Sequence, residues 1–156
     1  MHASCHKIPV SVLVVVHTPV LDILLLERAA HPGYWQSVTG SREARDRTLL
    51  ETARREVAEE TGLVFPATRF VDWHLTQEYD IFPEWRDRYA PGVTRNTEHV
   101  FSLEIPAPAV IRLAPDEHSD HCWLPFREAA ARCFSPSNRA IILALPGKIA
   151  NDTRSL

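Results

Sequence analysis

Three glutamates at short spacing are the residues of this sequence that are best suited to chemistry. Glu56, Glu59 and Glu60 lie in the stretch 40–63, GSREARDRTLLETARREVAEETGL. On a helix, at about 100° per residue, they fall within an arc of roughly 100°. Carboxylates this close repel one another, and like charges four residues apart destabilise a helix. A divalent cation would relieve the repulsion, and such oxygen ligands suit Mg²⁺, with Mn²⁺ as the alternative.

The same stretch carries the signals of a helix over 48–61. Thr48-x-x-Glu51 is the pattern of an N-terminal capping box, and Gly62 suits a left-handed C-terminal cap. Apolar residues at helical spacing predict the face that packs on a core: Leu49, Leu50, Ala53 and Val57. The glutamates border this apolar stripe, and we therefore expect them at the rim of the packed surface.

Gly40 together with Arg55-Glu56-Val57-x-Glu59-Glu60-x-Gly62-Leu63 resembles the Nudix box, GX5EX7REUXEEXGU. The Nudix family hydrolyses nucleoside diphosphates linked to another moiety, so the resemblance implies metal-dependent phosphate chemistry. Asp46 stands where the box has its first Glu, and the run from Gly40 to Arg55 is one residue longer than the consensus. We expect Asp46 to have no direct metal role. The loop's shape and the partner of Arg55 stay open.

Length, charge and cysteine content limit the class of protein. The 156 residues most simply form one domain, 1–156, with its core at about 7–146. A net charge of −3 without a basic cluster argues against a nucleic-acid partner. The apolar run 10–16 is too short to span a membrane, and it lacks a signal peptide's basic leader and cleavage site. The cysteines (Cys5, Cys122 and Cys133) are expected to be free thiols, and a cytoplasmic location is the expectation.

Strand and helix patterns mix along the chain. We predict strands at 10–17, 23–26, 35–39, 68–77, 94–104, 111–113 and 121–124, and helices at 48–61, 125–133 and from 135 onward. Residues 79–92 are predicted to form a long functional loop, and the tail after 147 is expected to be frayed. This order predicts an α/β fold, an α/β/α sandwich with a central mixed sheet. The Nudix resemblance implies the same fold.

Further stretches resemble one subgroup of the family, the bacterial dihydroneopterin triphosphate pyrophosphatases. The most specific is RYAPGVTRNTE at 88–98, and others are KxPVS at 7–11, YWQSVTG at 34–40 and SxSNR at 135–139. This resemblance implies hydrolysis of the pterin triphosphate to the monophosphate and pyrophosphate, a step of folate biosynthesis. The expected partner is therefore a small-molecule pterin or nucleoside triphosphate, with no nucleic acid and no membrane.

The candidate site residues follow from the resemblance and from residue chemistry. The metal candidates are Glu56, Glu59, Glu60 and Glu117. Glu60 and Glu117 are also candidates for the catalytic base, with no choice made between the roles, and Arg55 is the third catalytic candidate. Substrate-binding candidates are Lys7, Arg28, Thr39, Gly40, Tyr79, Asp80, Ile81, Phe82, Arg88, Arg95 and Ser135. His118 and His121 have a spacing that suggests zinc, but without a further ligand we expect solvated histidines.

Two other functions remain open on the sequence alone. One keeps the Nudix chemistry on a nucleoside or deoxynucleoside triphosphate, or on a dinucleoside polyphosphate. The other is a Nudix-like module that binds a nucleotide or pterin without cleaving it, although such a module has no need of three mutually repelling glutamates. The sequence does not give the oligomeric state.

Overall fold

A computed structural model describes residues 6–154 and the side chains as far as residue 151. The strands are β1 (Val10–His17), β2 (Asp22–Arg28), β3 (Trp35–Gln36), β4 (Val38–Ser41), β5 (Phe70–Asp80), β6 (Arg95–Glu104) and β7 (His118–Pro125). The α-helices are α1 (Leu49–Thr61), α2 (Phe126–Arg132) and α3 (Pro136–Arg154). Two short 3-10 helices cover Ala67–Arg69 and Pro83–Arg88.

The strands form one mixed sheet. Its order is β3-β2-β1-β6-β5, with β4 paired to β1 and β7 paired to β2. Strands β1 and β6 run parallel, from the pair Val10 and Thr97 to the pair His17 and Glu104, while the other pairings are antiparallel. The predicted central mixed sheet is therefore confirmed.

Strand β1 shows why the sheet is covered on both faces. Alternate residues of a strand point to opposite faces. Val12, Val14 and Val16 join a core cluster with the apolar residues of α1, whereas Leu13 and Val15 join a second cluster with residues of α2 and α3. A strand buried on both faces has no polar alternation, which explains its continuous apolar sequence. The α/β/α sandwich is confirmed.

Helix α1 begins and ends where the sequence predicts. The Thr48 hydroxyl oxygen accepts a hydrogen bond from the Glu51 amide at 3.2 Å, while the Glu51 carboxylate accepts from the Arg47 amide at 2.7 Å. At the other end Gly62 has φ 76° and donates its N–H to the Ala58 carbonyl. Both ends are satisfied, so the helix is a firm support for the glutamates on its rim.

Three predictions of secondary structure are wrong. Residues 111–113 form no strand, because the Arg112 amide donates to the Thr61 carbonyl at the end of α1 and not to the sheet. The segment 79–92 is more regular than a loop, since β5 continues to Asp80 and a 3-10 helix follows at Pro83–Arg88. Helix α3 runs past Gly147 to Arg154, where a frayed tail was expected.

Within the described chain, no helix has the length and hydrophobicity needed to cross a membrane. Cys122 and Cys133 are free thiols, as predicted, and Cys5 lies outside the described residues.

Candidate active site

The carboxylate of Glu56 occupies the space beside Gly40. A side chain added at residue 40 would collide with the Glu56 carboxyl group. Glycine is therefore needed here for close approach and not for an unusual backbone conformation. Glu56 is 8% exposed, and this burial raises its pKa to about 7, although the Arg55 guanidinium opposes the shift.

Glu60, one turn further along α1, is the most buried of the three glutamates. It is 2% exposed. Burial, together with the charges of Glu56 and Glu117, raises the pKa of Glu60 well above its usual range. Its Oε2 atom has no hydrogen-bond partner. A buried carboxylate is costly unless a cation or donors compensate it, so this oxygen indicates a ligand position.

Glu117 and His118 bring further ligand atoms to Glu60. Ligand atoms of the three residues all lie within 4.8 Å of one another. The His118 Nε2 atom is 3.8 Å from Glu60 Oε1, and its Nδ1 atom has no partner. With the carboxylates of Glu56 and Glu59 on the same cleft, this donor set fits a divalent cation.

His118 corrects one expectation from the sequence. It is 3% exposed and not a solvated histidine. Burial lowers the pKa of His118 to about 4, and the nearby Arg28 acts in the same direction. His118 is therefore neutral at physiological pH, when one of its two ring nitrogens can accept a hydrogen bond or ligate a metal. His121 is half-buried in β7.

Asp46 is the partner of Arg55. Its carboxylate accepts from Arg55 Nη2 at 2.9 Å and from Arg55 Nε at 3.2 Å, and the pair is nearly buried, with side chains 5% and 14% exposed. These hydrogen bonds hold the pKa of Asp46 far below its usual range. The shorter side chain and the extra residue of the loop thus still deliver a carboxylate to the arginine.

Arg55 in turn contacts two of the candidate metal ligands. Its Nη1 atom donates to Glu56 Oε1 at 2.8 Å and to Glu59 Oε2 at 3.3 Å, and Nη2 donates to the Ser41 carbonyl at 3.0 Å. Arg55 is not among the residues that line the cleft. This placement gives the prediction that Arg55 is a catalytic residue no geometric support, and it favours a positioning role.

Five cations line the cleft with the glutamates: Lys7, Arg28, Arg42, Arg45 and Arg88. Burial is the main cause that lowers the pKa of Lys7 and of Arg28, and repulsion from Arg88 is the second cause for both. The Lys7 amide donates to the Arg88 carbonyl at 2.8 Å, which fixes the two chain segments side by side. Cations that repel one another around a cleft favour an anion between them.

These groups surround an open cleft of about 1360 Å³. Every predicted metal ligand and all but one of the predicted substrate-binding residues line it, including Thr39, Gly40, Ser135 and the segment 79–82. The exception is Arg95, which is absent from the cleft wall and has its guanidinium 3.6 Å from both the Glu78 and Asp80 carboxylates. This outward placement gives the substrate-contact prediction for Arg95 no geometric support.

Several cleft residues were missed by the sequence analysis: Ser11, Gln36, Trp85, Asn96, Glu98, His118, Phe134 and Asn138. Five of them lie within the stretches that resemble the subgroup: Ser11, Gln36, Asn96, Glu98 and Asn138. Asn96 and Glu98 gave a second signal, because they are polar residues two apart in a predicted strand and so share a face that the core would otherwise fill. The other three come together only through the fold. Phe134, for example, reaches the cleft from the link between α2 and α3 and stacks on Tyr34 at 4.6 Å.

Comparisons with known proteins agree with this architecture. A family model described as the NUDIX domain matches residues 7–145. The chain is 42% identical over 145 residues to a dihydroneopterin triphosphate diphosphatase of Escherichia coli (strain K12), covering 91% of this chain and 95% of that protein. It is 38% identical over 135 residues to the protein of that name from Haemophilus influenzae, covering 85% and 84% of the two chains.

A solved structure shows the same likeness in three dimensions. The E. coli dihydroneopterin triphosphate pyrophosphohydrolase superposes with a TM-score of 0.79 at 43% identity, covering 88% of this chain and 94% of that one.

Proposed function

The chain belongs to the NUDIX family, and on that premise we propose that it hydrolyses dihydroneopterin triphosphate to the monophosphate and pyrophosphate. The observation that supports this choice of substrate is the sequence identity to dihydroneopterin triphosphate diphosphatases, which extends over most of the chain. The cleft contains the two kinds of group that the reaction needs. Carboxylates for a divalent metal and cations for the phosphates both line it.

Glu56, Glu59, Glu60 and Glu117 are the residues that would hold the metal, which we propose to be Mg²⁺, with Mn²⁺ as the alternative. The unpartnered oxygen of Glu60 supports this assignment. A divalent ion bound there neutralises phosphate charge and lowers the pKa of a coordinated water.

Lys7, Arg28 and Arg88 would bind the oxygens of the triphosphate. Their mutual repulsion in the free protein is relieved when phosphate oxygens lie between them, so part of the binding energy comes from this preformed site. Arginine can also offer two parallel donors to one phosphate, which fixes its orientation.

The proton of the attacking water needs an acceptor, and two carboxylates qualify. Glu60 is buried with a raised pKa, whereas Glu117 is exposed within the same group of ligand atoms. A carboxylate that binds the metal directly is a poor base, because the ion occupies the lone pairs that would take the proton. Of the four metal candidates, we assign the base to whichever of Glu60 and Glu117 does not bind the ion directly, and the other three would then hold the ion.

Arg55 and Asp46 would act from behind the site. Asp46 holds Arg55, and Arg55 fixes the carboxylates of Glu56 and Glu59 in one arrangement. The pair therefore contributes by preorganisation and not by contact with the substrate.

The test is release of pyrophosphate by the purified full chain in Mg²⁺ buffer. We expect kcat/KM for dihydroneopterin triphosphate to exceed that for dATP, GTP and diadenosine tetraphosphate by at least about tenfold, a difference of about 1.4 kcal/mol in transition-state binding. Glu60→Gln is the control, and it should suppress hydrolysis of every substrate.

Two results would contradict the proposal in different ways. A higher kcat/KM for a nucleotide would favour the alternative Nudix function, hydrolysis of a nucleoside triphosphate or a dinucleoside polyphosphate. Tight binding of dihydroneopterin triphosphate without turnover, in the presence of Mg²⁺ or Mn²⁺, would favour the non-hydrolytic module. A cytoplasmic location stays a prediction, which fractionation of the producing cells would test.

A further inference from the structure

Glu98 is a buried carboxylate in the cleft that the chemistry above does not use. It is 6% exposed and lines the cleft from strand β6. Its one hydrogen bond in the described structure is accepted by Oε1 from Gln77 Nε2 at 3.3 Å, and no Lys, Arg or His of the described chain forms an ion pair with it. Buried carboxylates are rare unless they are paired, so this group calls for a partner from outside the protein.

The neighbours of Glu98 form a fixed polar wall. Asn96 is 1% exposed, and its Nδ2 atom donates to Ser11 Oγ at 2.7 Å and to Tyr79 Oη at 3.0 Å. The Asn96 Oδ1 atom is buried without a partner. The same cleft as that of Glu98 is lined by Ser11, Tyr79 and Asn96. Glu98 therefore lies beside side chains that hydrogen bonds hold in place across three strands of the sheet.

The sheet register separates this wall from the metal-binding side. Ser11 of β1 pairs with Ser41 of β4 on one edge and with Glu98 of β6 on the other. With neighbouring strands about 4.8 Å apart, the backbone of Glu98 lies roughly 9.6 Å from that of Ser41, next to Gly40 and Glu56. One extended ligand can therefore reach the glutamates with its phosphates and Glu98 with its other end.

We propose that Glu98 recognises the base of the substrate by accepting two hydrogen bonds from an edge that carries a ring N–H beside an amino group. The inference rests on the proposed function, because the pterin of dihydroneopterin triphosphate has such an edge. Guanine shares it, while adenine presents an amino group beside a ring acceptor. A carboxylate matches two parallel donors and leaves an acceptor unsatisfied. Glu98 is thus a specificity-determining residue. Burial raises the pKa of Glu98 to about 7, and the two donors of the base offset the cost of burying the charged carboxylate.

Glu98→Gln is the sharpest variant. The Gln77 amide already donates to one oxygen of residue 98, so the new amide keeps its oxygen there and turns its NH₂ group to the cleft. Two donors then face each other, and we expect the affinity for neopterin, which has no phosphates, to fall about tenfold to a hundredfold. With dihydroneopterin triphosphate and GTP, KM should rise by a similar factor while kcat changes little. ATP hydrolysis should change less than about threefold.

Glu104→Gln is the matched control, because it makes the same substitution at an exposed position of the same strand. Melting temperatures establish that both variants fold. The wild-type protein gives a second test that does not depend on folding of a variant. It should bind neopterin at least about tenfold more tightly than a pteridine in which an oxo group replaces the amino group.

Neopterin binding separates this inference from the proposed function. If wild type does not hydrolyse dihydroneopterin triphosphate faster than ATP, the proposed function fails, yet neopterin affinity still reports on Glu98. Equal neopterin affinity of wild type and Glu98→Gln overturns the inference, as does equal binding of the amino and oxo pteridines. Equal losses of kcat for all three triphosphates would also overturn it, since they would give Glu98 a structural role.

Discussion

The Asp46–Arg55 pair allows a prediction whose size follows from the structure. In Asp46→Asn, one oxygen can still accept the three hydrogen bonds that Oδ2 accepts now, from Arg55 Nη2, the Glu43 amide and Thr52 Oγ1. The other position becomes an NH₂ group that faces Arg55 Nε, so a charge-assisted hydrogen bond is replaced by two opposed donors.

We expect Asp46→Asn to lower the free energy of unfolding by about 2–3 kcal/mol at pH 7. A hydrogen bond to a charged group contributes about 1.5–3 kcal/mol, and breaking a nearly buried ion pair costs about 3–5 kcal/mol. The lower part of this range applies because Arg55 keeps the carboxylates of Glu56 and Glu59 as partners. For a chain of this length, the melting temperature should fall by roughly 4–12 °C.

The stability difference between wild type and Asp46→Asn should depend on pH in a direction that the pKa of Asp46 determines. The folded pKa of Asp46 is lowered by the Arg55 hydrogen bonds, so its stabilising effect is present above the unfolded pKa of about 3.9 and is lost as the pH falls toward the folded value. Urea unfolding from pH 7 to pH 3 should show the wild-type advantage at neutral pH and its decline below about pH 4.

The control is Asp87→Asn, at an exposed position, which should leave the free energy of unfolding within about 0.5 kcal/mol of wild type. The reasoning is refuted if Asp46→Asn is as stable as this control, or if its deficit does not depend on pH. Activity should fall less in Asp46→Asn than in Glu56→Gln, because Asp46 is not among the residues that line the cleft.

Three further outcomes are expected. Gly40→Ala should lower kcat by about a hundredfold at nearly unchanged melting temperature, because the new Cβ displaces the Glu56 carboxylate; Gly147→Ala, where the added carbon meets nothing within 4 Å, should keep full activity in the same assay. Removal of divalent ions with EDTA should abolish pyrophosphate release, and adding Mg²⁺ should restore it and raise the melting temperature; full activity without ions would contradict the metal assignment. Arg88→Ala should lower kcat/KM about tenfold to a hundredfold for all triphosphates, whereas Arg95→Ala should change it less than about threefold, and equal losses would show that Arg95 also reaches the substrate.

The parts of the fold that the sequence predicts well are those fixed by local chemistry. Helix α1 is an example, because its Thr48 cap, apolar stripe and Gly62 terminus lie within one short stretch. Strand β1 is another, since a run of apolar β-branched residues buried on both faces has few other solutions. The false strand at 111–113 has the same apolar composition, but its backbone hydrogen bond goes to the end of α1, which no local pattern reveals.

The candidate site divides in the same way. The Nudix box places Glu56, Glu59 and Glu60 on one helix, so their proximity is predictable from spacing. The contact between Asp46 and Arg55 is not predictable from spacing, because the loop is longer than the consensus. It depends on how the loop folds, which the hydrogen bonds of Asp46 with the Glu43 amide and Thr52 determine. The burial of His118 and Glu98 depends on strand pairing between distant segments, and a single sequence does not contain that pairing.

The register of β1 explains how such a site can change substrate without changing chemistry. The candidate metal-binding glutamates Glu56, Glu59 and Glu60 come from α1, and Gly40 in β4 leaves the space that brings Glu56 into the cleft. Asn96 and Glu98, the centre of the candidate base-recognition wall, come from β6, which pairs with β1 on the edge opposite β4. A substitution at Glu98 alters no contact of the glutamates of α1. A substitution at Gly40 alters no contact of Glu98. Recognition and hydrolysis are therefore separable here, since the two groups of residues share one cleft but lie on different strands of the sheet.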